Sequence, residues 1–305
     1  MLYAAPVPFV AGTLPPVQNV ATAENRGWEV GVQYRDRIGD FTYDLGGNIS
    51  FYDNVVTGLG VGGEPVFAGN VQFANAPVSR TDVGQPMASF YGYVTDGLFQ
   101  SQDEVEAHAF QSENTAPGDI RFVDLNEDGV IDNEDQTYIG SPIPDFTYGV
   151  YLNLGYKGFD LNIFGIGSEG NDIFNATVRY DFTYTNRPQT ILNRWTGPGT
   201  SNSEPRVSLT DPNQNVRVSD RFVEDGSFFR LKNVQLGYTL PSQWLSKAKI
   251  DKLRFYVTAN NLVTITQYSG LDPEIGTIGG ALELGIDKGF YPQARTFLGG
   301  IQLNF

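Results

Sequence analysis

Seven stretches of the chain alternate apolar and polar residues with a period of two. That period belongs to strands whose two faces meet different surroundings. In WEVGVQYRD, Trp28, Val30, Val32 and Tyr34 share one face, and Glu29, Gly31, Gln33 and Arg35 share the other. FTYDLGGNISFY sets Phe41, Tyr43, Leu45, Gly47, Ile49 and Phe51 against Thr42, Asp44, Gly46, Asn48, Ser50 and Tyr52. The pattern recurs in FTYGVYLNLGY (146–156), FDLNIFGIG (from Phe159), RLKNVQLGYTL (230–240), LRFYVTANNL (253–262) and the last stretch, RTFLGGIQLNF. Gly39-Asp40 and Lys157-Gly158 are turn pairs, so the first two stretches and the next two form hairpins.

Most of these strands run to about ten residues, against the ~5–6 typical of soluble proteins, and ~9–11 tilted residues cross a bilayer core. Aromatics cluster near their ends: Trp28, Phe41, Phe51, Tyr52, Phe146, Tyr156, Phe159, Tyr238 and Phe305. Aromatic belts of this kind mark the two membrane interfaces. The links alternate between short ones and long ones (54–145, 169–229 and 263–294) rich in Gly, Asn, Asp, Ser and Pro. Short turns on one side and long loops on the other, with an Asn-, Thr-, Gln- and Gly-rich second face suited to a wet lumen, predict an antiparallel transmembrane β-barrel segment of about seven strands. The alternative is a soluble, calcium-stabilised β-sandwich that binds carbohydrate, because sandwich strands alternate too.

Composition narrows the function. Twenty basic and 35 acidic residues leave a net charge of −15, which excludes nucleic acid as a partner. With no cysteine, disulfides, zinc ribbons and thiol catalysis are excluded. The single histidine, His108, reads as a surface residue on a short helix opened by the Ser101–Glu104 capping box, and offers no catalytic triad. PQTILNRW (188–195) reads as a second helical turn begun by proline. The carboxylate pair Glu224-Asp225 is a poor glycosidase candidate, because neighbours on a strand point to opposite faces. The chain is therefore not read as an enzyme. The start, MLYAAPVPFV, lacks a basic region followed by a long apolar one, so no signal peptide is expected there.

One stretch carries distinct chemistry. DLNEDGVIDNED (124–135) matches an EF-type calcium loop, with Asp124, Asn126, Asp128, the Val130 carbonyl, Asp132 and Asp135 at the ligand positions. Gly129 permits the sharp turn, and Ile131 can anchor the loop to a core. The last ligand position holds Asp where sensor loops place Glu, and no amphipathic helix flanks the loop. A sensor opens a helix pair, so the expectation here is a structural Ca2+ site that braces the long 54–145 loop. Loop aromatics Tyr91, Tyr93 and Phe99, with Phe182 and Tyr184, are the candidate substrate contacts.

PMASFYGYVTDGLFQSQDEV (86–105), PGDIRFVDLNEDGVIDNEDQTYIGSPIPDFTYG (117–149), GNDIFNATVRY (170–180), RWTGPGTSNSEPRV (194–207), SDRFVEDGSFFRLKNVQLGYTLP (219–241), LRFYVTANNLVTITQYSGLDPEIG (253–276) and YPQARTFLGGIQLNF (291–305) together resemble the SusC/RagA family of TonB-linked outer-membrane proteins. The resemblance runs from about Asn25 to the end, leaving 1–24 as an N-terminal loop or fragment edge. It implies a TonB-dependent receptor: a 22-stranded outer-membrane β-barrel that imports glycans or peptides in Bacteroidetes-type bacteria. Energy comes from the TonB–ExbB–ExbD complex, and a SusD-like surface lipoprotein acts as lid. Phe305 resembles the terminal aromatic residue read by the barrel assembly machinery. The match covers about the C-terminal third of such a protein, without plug domain or TonB box. Seven strands would leave open edges in lipid, so residues 25–305 are expected to be a piece of the barrel that does not transport alone.

Overall fold

The computed structural model describes residues 2–4, 12, 17–19, 21–60, 62–178, 187–246 and 250–305. Seven long strands form one antiparallel sheet: β1 (Ala21–Ile38), β2 (Phe41–Leu59), β3 (Phe146–Tyr156), β4 (Phe159–Glu169), β5 (Phe228–Thr239), β6 (Lys252–Thr266) and β7 (Thr296–Asn304). They lie side by side in chain order, each inner strand paired with the one before and the one after it. Every alternating stretch of the sequence is a strand of this sheet. The β1–β2 and β3–β4 turns are two residues long, and Gly39, Lys157 and Gly158 all take positive φ, as such hairpins require.

Register turns seven separate patterns into one surface. Across the sheet Tyr34 pairs with Leu45, then Leu152, Ile163, Val234, Ala259 and Phe297. Near the tight turns the matching row is Ile38, Phe41, Tyr156, Phe159, Tyr238, Phe255 and Ile301. At the other end, Trp28 stacks on Phe51 with centroids 4.2 Å apart, and Phe51 meets Phe146 in a tilted contact at 5.1 Å. The two aromatic rows are separated by about ten steps of roughly 3.4 Å along β2, about 25 Å along the normal at the tilt of membrane barrels. This face is uncovered: Val32 is 68% exposed and Phe297 69%. A sandwich buries such a face under a second sheet, and among the described residues nothing covers it, so the soluble alternative is not favoured. No described helix is long and apolar enough to cross a membrane; a chain of this class crosses with strands.

The opposite face is polar and cross-linked. The Arg254 guanidinium is bound by Asp160 and donates to Gln235 Oε1 at 2.9 Å. Gln235 donates to Thr258 (2.9 Å), Asn233 to Asn260 (2.8 Å), and Asn260 to Thr296 (3.1 Å). A bulge between Leu231 and Asn233 shifts the phase of β5, so Leu231 and Val234 both reach the apolar side.

The hydrophobic core lies in the links rather than the sheet. Link residues build a four-stranded sheet (Val66–Ala68, Ser79–Thr81, Ser89–Tyr93, Gln136–Gly140) and a three-stranded one (Asp172–Asn175, Val223–Asp225, Ile286–Asp287). They enclose Val71, Phe73, Val78, Phe90, Phe174, Val218, Phe222 and Ile286. A second cluster gathers Tyr93, Leu98, Ile120, Phe122 and Ile131. β2 continues to Leu59 because Val56 and Leu59 bury themselves in a third cluster with Ala21, so ordered strand extends into the expected 54–145 loop. Ser101 caps helix α1 (Gln102–Ala107), with Glu104 N–H donating to Ser101 Oγ; the expected reciprocal half of the box is shifted by one residue, since the Glu104 carboxylate accepts from Gln100 N–H at 2.7 Å. His108 ends that helix, half-buried edge-on to Phe99 rather than on the open surface. The turn at Pro188 continues as a 3-10 helix, Gln189–Asn193.

Candidate functional site

The acidic loop follows the strand Ile120–Phe122, whose residues enter the second cluster, and ends in a 3-10 turn at Asn133–Asp135. Its carboxylates first organise the loop itself. Gly129 N–H donates to Asp124 Oδ2 (2.9 Å), Asp128 N–H to Asn126 Oδ1 (3.1 Å), Val130 N–H to Asp128 Oδ1 (2.8 Å) and Glu134 N–H to Asp132 Oδ1 (2.8 Å). Gly129 has φ +87°, a conformation that glycine takes without strain. Asp135, fully buried, closes the loop: Leu125 N–H donates to its Oδ1 and Asp132 N–H to its Oδ2, both at 2.8 Å. The short arm of Asp at this position suits that use.

Ile131 anchors the loop, as its place in the sequence suggests: it is buried beside Tyr93, Leu98 and Phe122. Its N–H donates to the Phe110 carbonyl, while Phe110 N–H donates to that of Gly129 (2.8 Å each). The Val130 carbonyl accepts none of the hydrogen bonds found among the described residues. Asp124 Oδ1 is buried there with no donor. A buried carboxylate oxygen without a partner is costly, and a hard cation is the group that this oxygen-only set fits. Among the described residues, no three His, Cys, Asp or Glu side chains converge into a metal cluster. The donor set here includes an amide and a main-chain carbonyl, and its carboxylates are turned to the loop's own amides.

The end of this loop is also the wall of a cavity of about 760 Å3. Ile131, Asp132 and Asn133 face Tyr91, Tyr93, Arg80 and Arg217 across it. Tyr93 Oη donates to Asn133 Oδ1 at 3.3 Å, tying strand to loop. The Arg80 guanidinium lies 4.5 Å from the Tyr91 ring centroid and 5.7 Å from those of Phe67 and Tyr138, and donates to Asp82 at 2.7 Å. Burial works against the charge of Arg80, but the bond to Asp82 and the neighbouring phenols hold its pKa above the ordinary value. Burial pushes the Tyr138 phenol up to about 12, so it stays a neutral donor at physiological pH. Arg217 lies 5.3 Å from the Tyr93 centroid and 5.0 Å from that of Phe122. Gly92 brings it there: Tyr93 N–H donates to the Val218 carbonyl at 2.9 Å, and a Cβ at position 92 would collide with that carbonyl.

Of the expected substrate contacts, Tyr91 and Tyr93 line this cavity. Phe99 does not: it is 1% exposed, packed inside the loop assembly against His108. Phe182 and Tyr184 lie outside the described residues. Glu224 accepts from Asn175 Nδ2 and from Ser269 N–H and Oγ, and Asp225 from Ser227 N–H, so the pair staples loops together. Sequence reasoning passed over Arg80 and Arg217, whose local contexts (SRTD and VRVS) resemble any loop. It also passed over buried Asp119, which holds Arg206 by two bonds (2.8 and 2.9 Å) and accepts from Asn215 Nδ2 (3.1 Å). With Asn213 and Gln111, these groups lock the segment before the acidic loop to residues 206–215.

No protein-family model matches the chain. It is 33% identical over its whole length to TonB-dependent receptor P3 of Formosa agariphila, covering 31% of that protein. It is 31% identical to the TonB-dependent receptor SusC of Bacteroides thetaiotaomicron, over 94% of this chain and 27% of SusC. In fold, the whole chain superposes on 32% of a chain in the RagAB peptide transporter with a TM-score of 0.79 at 24% identity. A second structure, the RagAB peptide importer in an open-open state, gives 0.77 at 22%. The chain thus spans about a third of the length of the relatives it matches. A sheet with one lipid-suited and one polar face, capped by ordered loops and matched end to end by these receptors, places the chain in the SusC/RagA family of TonB-dependent receptors.

Proposed function

We propose that this chain is a wall and an outer-loop assembly of an outer-membrane transporter that imports glycans or peptides. The single observation that carries the reading is the uncovered apolar face, continuous through seven strands and bounded by aromatic rows. β1 and β7, each paired on one side only, are the edges at which further strands would continue the barrel. TonB–ExbB–ExbD would energise transport, and a SusD-like lipoprotein would close over the loop assembly. Both are partners of the whole transporter rather than of this stretch. The carboxylates in the loops serve as staples, which supports transport over catalysis. Because the chain lacks cysteine, Val32→Cys and Gln33→Cys give sites of known origin on opposite faces, both exposed. In cell envelopes, a lipid-confined maleimide should label the first and a water-soluble one the second. Equal labelling of both by the water-soluble reagent would reject the membrane reading.

We further propose that the acidic loop holds structural Ca2+ through Asp124, Asn126, Asp128, the Val130 carbonyl, Asp132 and Asp135. When bound, the ion would supply positive charge to the buried Asp124 oxygen and hold the loop's two ends together. The residues themselves set the cavity wall, since Asp132 and Asn133 belong to both. Chelation should lower the melting temperature of the intact protein, and Asp128→Ala should weaken calcium affinity by about tenfold or more. Unchanged affinity in that variant would refute the ligand set.

A further inference from the structure

We infer that the cavity between Arg80 and Arg217 is a binding subsite for an acidic oligosaccharide, one whose sugar ring carries a carboxylate. The inference rests on the import reading above and names the class of solute. Three observations carry it.

The first is charge. The chain as a whole carries −15, yet two of the three charged residues that line the cavity are arginines; Arg80 is already paired with Asp82, so Arg217 carries the charge that an anion would meet. The second is the state of Arg217. Arg80, Arg121 and Arg206 each have a carboxylate within ion-pair distance, namely Asp82, Asp96 and Asp119. Arg217 has none among the described residues: its one bond is a long 3.4 Å donation to the Gln111 carbonyl, and its Nη1 is buried without an acceptor. Burial depresses its pKa, against the opposing pull of Tyr93, Asp211 and Asp135. A guanidinium so placed gains most from a planar oxyanion, which it meets with two parallel bonds.

The third is the rest of the lining. Tyr91 and Tyr93 supply aromatic surface, and the side-chain amides of Asn133, Gln136 and Gln214 supply donors and acceptors together, as neighbouring sugar hydroxyls require. An extended peptide is usually read by the backbone of an open strand edge. On the strand that carries Tyr91 and Tyr93, one edge pairs with Gln136–Gly140, and on the other the Tyr91 and Tyr93 N–H groups donate to the Val78 and Val218 carbonyls (2.8 and 2.9 Å), so its wall presents side chains. The sugar is therefore the better match.

The test is titration calorimetry on the intact protein in detergent, with tetragalacturonate, neutral galactotetraose and tetraglutamate as probes. Tetragalacturonate should bind at least about tenfold more tightly than the neutral tetramer, and the preference should shrink as salt rises. Arg217→Gln should abolish most of that preference, and Arg80→Gln should reduce it. No binding of tetragalacturonate at millimolar concentration, equal binding of the two sugars, or tighter binding of tetraglutamate overturns the inference. So does a preference that survives Arg217→Gln. The wild-type comparison needs no variant to fold. The cysteine labelling above is independent of it, so a failed subsite and a failed membrane assignment give different results.

Discussion

The seven-stranded sheet and the loop assembly invert each other. In the sheet the large apolar side chains face out, and polar residues are tied together on the other side. In the loops the order is that of a water-soluble protein, with Phe90, Phe122 and Phe174 fully buried and buried carboxylates such as Asp119 and Asp135 held by hydrogen bonds. Hydrophobic burial stabilises both, but the sheet's apolar face must find its non-aqueous surroundings in lipid, whereas the loops make their own. This explains how such long links can be ordered: they form small sheets around a common core and do not depend on the membrane. The two regions meet at Arg230. It is 2% exposed at the outer end of β5 and is held by Asp272, Glu274 (2.7 Å) and Thr264 (2.9 Å).

The largest effect should come from emptying the loop core. Phe90→Ala should cost about 3–5 kcal/mol. Because the sheet does not share that core, β-strand content by infrared spectroscopy in vesicles should persist while the loops become protease-sensitive. Simultaneous loss of both would show that the regions are one cooperative unit.

Nearly as large is the joint. Arg230→Met should cost about 3–5 kcal/mol, because it strands buried Asp272 without its cation. Burial of Asp272 opposes ionisation, but Arg230 and the N–H groups of Gln293 and Glu274 outweigh it and hold its pKa below 3.8. A depressed carboxylate pKa gives stability that is present above the unfolded value and lost as pH falls through the folded one. The gap between wild type and variant in chemical unfolding should therefore be widest near neutral pH and narrow once pH drops below about 4. A gap that widens on acidification would contradict the network.

The smallest effect distinguishes the two faces of the sheet. Val150→Arg, midway between the aromatic rows, should cost about 2–4 kcal/mol in lipid vesicles. Asn153→Arg on the polar face should change stability by less than about 1 kcal/mol. Equal costs would mean that the faces are misassigned.

The sequence by itself determined the sheet. A period of two in a tilted strand is a local property, and so are the hairpin turns at Gly39 and Gly158. All seven strands could therefore be read, although the slip at Lys232 on β5, a break in the alternation, was not. The shape of the acidic loop was legible for the same reason: its Gly129 turn and its Ile131 anchor lie within twelve neighbouring positions. What only the tertiary structure decided is what stands across from what. Tyr91, Asn133 and Arg217 share one cavity though up to 126 positions apart, because Gly92 admits the Val218 backbone and Phe110 pins the acidic loop. Phe99 and Tyr91 look alike as loop aromatics, yet one is buried core and the other half-buried cavity wall. Burial depends on long-range packing, which no local pattern encodes.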